Sequence, residues 1–360
     1  MNNNESHNSK LNFTSLLATR PAVNCSLSAT QDLQLNGVPT ILVFSQILGQ
    51  IFNLVVFHLW RNKEPFLTLH VALAYGNIFT GAVGSISAFA RWSKWTITAE
   101  TIVKVQVALF AFSNRSTVVN TVLISLDRWL SVEFPIAYRN RISKRKLSIA
   151  VLVGWIYSMA VTAPPFVAFR DRILVGCSRP GTFDYTPSTL WEYFLTAFTK
   201  APIYVALLFL FQLRILVIAV ETRIRLIRLK RSVRSAPPPN QAPNMTHALR
   251  AQEAKLAARI VWSNLLGSMT VVLVTAISIV PTLVLEYNGL MGHKGTLLMQ
   301  HIGSNLFVVQ RIYTPFAYLA FFPQFRAAAV RPLVAMARRC GWVPAASRGA
   351  TNSIGLAPVS

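Results

Sequence analysis

The chain has 360 residues, 53% of them hydrophobic and 13% charged, with a mean hydropathy of +0.44, a balance that excludes a disordered chain and does not suit a water-facing surface. Its 35 Lys and Arg against 12 Asp and Glu leave a net charge of +23, but the basic residues cluster between apolar runs, where they mark the cytoplasmic side of a membrane and meet anionic lipid, so nucleic acid is not the expected partner. Three Cys exclude a disulfide scaffold, and no Cys/His cluster has metal-ligand spacing, so no metal and no cofactor is expected.

Residues 1–37 read as an outer tail. No charged-then-apolar leader precedes residue 38, so the first apolar run is expected to carry the targeting information. Asn4-Glu5-Ser6, Asn12-Phe13-Thr14 and Asn24-Cys25-Ser26 match the glycosylation acceptor pattern, which fits an outer location.

Seven apolar runs follow, each long enough at 1.5 Å per residue to cross a hydrocarbon core of about 30 Å. They are Val38 to Trp60, Phe66 to Ala90, Ile102 to Leu126, Leu147 to Phe169, Trp191 to Val220, Ile260 to Leu285 and Leu297 to Phe322. Several connections are too short for folded domains, so the runs are predicted to pack as one all-α integral membrane unit, a seven-transmembrane helix bundle over 38–322. Alternate connections carry most of the positive charge: Arg61 and Lys63, then Arg139 to Lys146, then Arg214 to Arg259, then the tail from Arg326 to Arg348. That asymmetry places the N-terminus outside and residues 323–360 in the cytoplasm. The longest inner connection, Glu221 to Arg259, reads as a basic helical extension broken at Pro237-Pro238-Pro239.

Specific residues then carry a resemblance. The third run ends Ser125-Leu126-Asp127-Arg128-Trp129, and the seventh ends Thr314-Pro315-Phe316-Ala317-Tyr318, followed by Phe322-Pro323-Gln324-Phe325-Arg326. Gly49 and Asn53, Trp155 and Pro164, Pro202 and Pro281 fall in the first, fourth, fifth and sixth runs. Over residues 38 to 340 this pattern resembles the rhodopsin-like G-protein-coupled receptors, with D-R-W for D-R-Y and T-P-x-x-Y for N-P-x-x-Y. The resemblance implies a short amphipathic helix after the seventh span and a heterotrimeric G protein as inner partner. It also implies that Asp127, Arg128, Thr314, Pro315 and Tyr318 form the coupling switch. An ordinary interfacial ion pair and tolerated proline kinks would account for the same residues.

Departures from the family are numerous. Leu69-His70-Val71-Ala72-Leu73-Ala74-Tyr75 stands for N-L-A-x-A-D, placing Tyr75 at the family's buried Asp, and Ser278-Ile279-Val280-Pro281 stands for C-W-x-P. Leu210 replaces an activating Tyr, and Val261 stands near the usual acid of the sixth span. In relatives a mid-bundle site binds Na⁺; its counterparts here are Tyr75, Thr117, Gln310 and Arg311, so a guanidinium is expected in the ion's place. The resemblance also implies an outer disulfide to the second outer loop. Its usual third-span position is Val103, so the expectation falls on Cys25 with Cys177. Cys340 is a palmitoylation candidate beside Arg338 and Arg339, with a free thiol as the alternative.

For the extracellular ligand, the candidate lining is Lys104, Phe110, Asn114, Arg115, Lys200 and Ile279. Phe110 stands where amine receptors carry an Asp, and Val308 where opsins carry the retinal-binding Lys, so a biogenic amine and a retinal Schiff base are both disfavoured. Arg115 lies 13 residues before Arg128, about 20 Å along the helix and near mid-membrane. A buried Arg there requires a partner or a hydrated cavity, and either an anionic ligand or an internal hydrogen-bonding role fits. No H-E-x-x-H or G-x-S-x-G constellation supports an enzyme. Two rival readings are a receptor-like partner protein that no longer signals and, more remotely, a small-solute transporter, for which no internal repeat is visible.

Overall fold

The computed structural model describes residues 33, 37–60, 64–92, 97–168, 173–174, 182–183, 202–235, 266–267, 269–281, 284 and 297–339. In chain order these form α1 (Val38–Leu59), α2 (Leu67–Trp92), α3 (Ile97–Glu133), the short α4 (Pro135–Arg141) and α5 (Lys144–Ala168). A two-residue hairpin of β1 (Ile173–Leu174) and β2 (Thr182–Phe183) follows, with Ile173 opposite Phe183. Then come α6 (Pro202–Ser235), α7 (Met269–Pro281), α8 (Leu297–Phe321) and α9 (Pro323–Arg339). Each of the seven predicted spans falls on a helix: α1, α2, α3, α5, α6, α7 and α8.

Among the described residues, Val38–Leu59, Leu67–Ile86, Thr101–Glu133 and Lys144–Pro164 are long and apolar enough to cross a membrane, with shorter apolar stretches at Ile203–Ile218 and Met269–Pro281. The helix α8 is 25 residues long, about 37 Å at 1.5 Å per residue, but buries Gln310, Arg311 and Thr314. The long α6 continues through the predicted basic extension and stops just before the three prolines.

Lipid as solvent explains which way each helix faces. On α1, Ile41 and Leu48 are 64% and 67% exposed while Gln46 and Gln50 are 1% and 0%. Apolar side chains can face acyl chains at no cost, whereas polar ones must find hydrogen bonds inside the bundle. The same inversion recurs on α5, where Ile149, Leu152, Val153 and Ile156 are exposed and Ser158 is buried.

The helix α3 is the central post: α2, α5 and α6 pack against it, while α1 is flanked by α2, α8 and α9. Small residues set the closest approaches. A side chain at Gly49 would sit 3.2 Å from the Pro315 ring, and one at Gly154 would sit 2.8 Å from Val119. Gly267 lies directly against the Phe322 ring and would bring a Cβ within 2.9 Å of Phe321 Cβ, so the sixth span reaches the end of the seventh only because residue 267 has no side chain.

Among the described residues an apolar cluster near the C-terminal end of α3 joins Val56, Phe57, Leu69, Ile124, Tyr318 and Phe325. Phe325 meets Phe57 edge-on at 5.3 Å and Phe52 at 6.1 Å. Through those rings α9 docks on α1, with Phe325 and Ala328 buried and Arg326 and Arg331 exposed. Pro323 opens α9 at a position whose N–H has no intrahelical acceptor, so proline costs nothing there.

Candidate functional site

Near the C-terminal end of α3 the sequence places Asp127 and Arg128 side by side, and the fold buries both, at 4% and 8% exposure. Arg128 donates to one carboxylate oxygen of Asp127 through Nη2 at 2.6 Å and Nε at 3.1 Å. The other oxygen, Oδ1, accepts the Tyr138 hydroxyl of α4 at 2.6 Å. Burial, and the Asp127 charge beside it, push Tyr138 upward from its ordinary value, so its hydroxyl stays protonated and donating. The guanidinium carbon of Arg128 also lies 4.2 Å from the centroid of the Phe66 ring at the start of α2, a geometry in which the ring face attracts the cation. Trp129 stacks on Phe211 of α6 at 5.5 Å, and Glu133 accepts two hydrogen bonds from Arg214, which also holds α6 on α3.

The end of α8 is built around Pro315. Proline has no N–H, so the carbonyl four residues earlier, that of Arg311, loses its helical donor. Gln50 of α1 supplies the replacement: its Nε2 donates to the Arg311 carbonyl oxygen at 2.6 Å, while its Oε1 accepts from Asn53 at 3.1 Å. Gly49, next to Gln50, lets the proline ring approach. Thr314 turns back on its own helix, donating to the Gln310 carbonyl at 3.2 Å. One turn further on, the Tyr318 hydroxyl lies 2.8 Å from Nδ1 of His70.

In mid-bundle, Arg311 is 1% exposed and its Nη2 donates to Asn114 Oδ1 at 2.5 Å. Gln310 Nε2 donates to Thr275 of α7 at 2.9 Å. Ser113, Thr117, Thr121 and Ser125 donate one after another to carbonyls of α3 itself, so these hydroxyls satisfy their own helix.

Tyr75 requires a correction. It is 56% exposed on the outer surface of α2 and does not join Thr117, Gln310 and Arg311. The position facing α3 is Gly76, where a Cβ would lie 3.5 Å from Thr117 Oγ1 and 3.7 Å from Asn120 Nδ2. One residue along a helix is a rotation of about 100°, which carries the side chain from the core to lipid. Tyr75 is therefore not the buried counterpart of the motif's carboxylate; the next two residues, Gly76 and Asn77, are buried, the latter 2% exposed.

The candidates for the ligand lining divide among different faces. Asn114 meets the seventh span, whereas the neighbouring Arg115 is partly buried and close enough to feel Tyr204 of α6, whose hydroxyl donates to Tyr157 of α5 at 3.2 Å. The Phe110 ring turns toward Gly84 of α2, Ile279 is buried, and Lys104 is partly buried near the N-terminal end of α3. Lys200, Cys25, Cys177, Cys340, Val261, Asn4, Asn12 and Asn24 lie outside the described residues. Sequence reasoning missed His70, Phe66, Tyr138 and Gln50. The spacing of Gln46, Gln50 and Asn53 along one face of an apolar run was a readable sign of buried polar partners, but nothing in the sequence pairs His70 with a residue 248 positions away.

With this geometry in place, comparison with known proteins is informative. A family model described as 7 transmembrane receptor (rhodopsin family) matches residues 53–318. Melanopsin of Rattus norvegicus is 22% identical over 302 residues, covering 82% of this chain and 61% of that protein. A GQ-coupled rhodopsin of Mizuhopecten yessoensis is 24% identical over 210 residues, 57% of this chain and 40% of the relative. Melanopsin-A of Gadus morhua is 33% identical over 86 residues, 24% of this chain and 15% of that protein. The chain thus spans at most about three fifths of the length of these relatives. Squid rhodopsin shares the fold, with a TM-score of 0.65 at 15% identity over 95% of this chain and 97% of that one.

Proposed function

The chain belongs to the rhodopsin family of seven-transmembrane receptors, and from that premise we propose that it passes an extracellular signal to a heterotrimeric G protein through Arg128. It is a multi-pass membrane protein and not an enzyme. The observation that carries the reading is the state of Arg128: a buried guanidinium held by a single neighbouring carboxylate oxygen and a ring face, at the inner end of the helix against which α2, α5 and α6 all pack. Such a cation is held by local partners that an incoming backbone carbonyl or carboxylate can replace. Signalling is then a shift between two packings of the bundle, with outer ligand and inner partner each favouring one of them.

The N-terminal tail lies outside the plasma membrane in this reading, with Asn4, Asn12 and Asn24 as acceptors and Cys25 bonded to Cys177. The ligand binds in the outer half of the bundle. Val308 has no amine with which to form a Schiff base, so retinal is not bound in the manner of opsins, although the relatives are named as such. Phe110 likewise offers no carboxylate to an amine.

The test is nucleotide exchange on a panel of purified heterotrimers, beginning with the Gq class named for one relative, in membranes with and without the full chain. Arg128→Ala at matched surface expression is expected to abolish the exchange that the wild type stimulates. Equal exchange by both proteins would refute the role of Arg128. Silence across the whole panel would favour a receptor-like partner protein that has lost signalling.

A further inference from the structure

We infer that His70 is a latch that holds Tyr318 in the resting packing, a regulation of the Arg128 site that rests on the coupling reading above. Four observations converge on this one imidazole. It is 2% exposed, and its Nδ1 lies 2.8 Å from the Tyr318 hydroxyl, 248 residues away in sequence. The ring meets Tyr318 edge-on at 5.3 Å and 86°, so the hydrogen bond and the ring contact fix the same tyrosine rotamer. On a second side it meets Phe66 at 5.9 Å and 87°, and Phe66 is the ring over which Arg128 lies. On a third side it meets Phe322 at 5.9 Å, and Phe322 is the ring against which Gly267 of the sixth span packs.

His70 thus touches, directly or through one ring, Arg128, the end of the seventh span and the inner end of the sixth. A buried, directional contact that joins such elements has two discrete arrangements, made or broken, which is what a switch requires. Leu210 is 60% exposed and has no hydroxyl to offer Tyr318 in an alternative packing. The hydrogen bond with His70 therefore restrains the tyrosine without a competing phenol at position 210.

The atom that makes the bond supplies a discriminating test. An Asn amide overlays Nδ1 of histidine, whereas a Gln amide overlays Nε2. His70→Asn keeps a polar group at the position that faces Tyr318; His70→Gln moves it away, and His70→Leu removes it. All three are placed in the full chain in membranes, with two readouts. The first is basal nucleotide exchange. The second is a fluorescent label at Leu266→Cys, in a Cys340→Ser background, which reports movement at the inner end of the sixth span with no G protein present. His70→Gln and His70→Leu are expected to raise basal exchange about three- to tenfold, the population shift that one buried hydrogen bond supports, and to shift the label signal. His70→Asn is expected to stay near the wild type in both, and Tyr318→Phe to shift the label as His70→Gln does. Label signals that are the same for all variants, or that change equally in Asn and Gln, would overturn the latch. Exchange unaffected by Arg128→Ala would instead overturn the coupling reading, which the label does not depend on.

Discussion

Removing the Gln50 side-chain amide is predicted to unseat the end of the seventh span, and the cost follows from two bonds. Gln50 is fully buried; its Nε2 caps the Arg311 carbonyl that Pro315 leaves without a helical donor, and its Oε1 accepts from Asn53. In Gln50→Leu both the carbonyl and the Asn53 amide lose their partner at nearly constant volume. Each buried group left unsatisfied costs about 1–3 kcal/mol, so a loss of about 2–6 kcal/mol is expected from the two together. Pro315→Ala restores an N–H at the position that bonds the Arg311 carbonyl, so in that background the same Gln50→Leu change forfeits only the Asn53 contact, about 1–3 kcal/mol by the same principle. The coupling is read as apparent Tm of the purified chain in detergent at one scan rate, across the four proteins of the cycle. Equal losses from Gln50→Leu with and without Pro315 would refute the argument, because they would show that the carbonyl is not what Gln50 satisfies.

Two further outcomes follow from the packing. Gly267→Ala places a methyl against Phe322 and Phe321 and is expected to lower stability by about 1–3 kcal/mol as an overpacked contact; Phe322→Ala should relieve most of that loss in the double variant, and an unchanged apparent Tm for Gly267→Ala would count against the close approach. Exchange of Na⁺ for a bulky organic cation at constant ionic strength is expected to leave basal nucleotide exchange unchanged, because Gly76 brings no carboxylate toward Thr117 and a cation 4 Å from the Arg311 guanidinium is repelled by about 4 kcal/mol at an effective dielectric of about 20; a saturable sodium effect would refute it.

The seven spans were legible because burying apolar residues in lipid needs about twenty of them in a row, a local property that the chain carries openly. The residues proposed for coupling, Asp127, Arg128, Pro315 and Tyr318, could be singled out for the same reason: they sit at span ends, at fixed local spacing. The basic extension of the fifth span and its stop before Pro237 also follow from local preference, and α6 ends at Ser235 accordingly. The short α4 and the hairpin of Ile173–Leu174 with Thr182–Phe183 were not anticipated, since runs of seven and two residues carry too little periodicity to read.

Tertiary structure decided which polar residues meet. Tyr75, Gly76 and Asn77 are adjacent in a weakly matching motif, and which of them faces the core depends on the rotation of α2 about its axis, which its packing on α1 and α3 sets. Gln50 with the Arg311 carbonyl, Asn114 with the Arg311 guanidinium, and His70 with Tyr318 join residues 261, 197 and 248 positions apart. The sequence by itself determined the membrane-spanning runs and which residues are too polar for lipid. It left open the partner of each polar residue, because a hydrogen bond inside a bundle depends on the rotation and depth of two helices at once, and neither is written in the composition of either one.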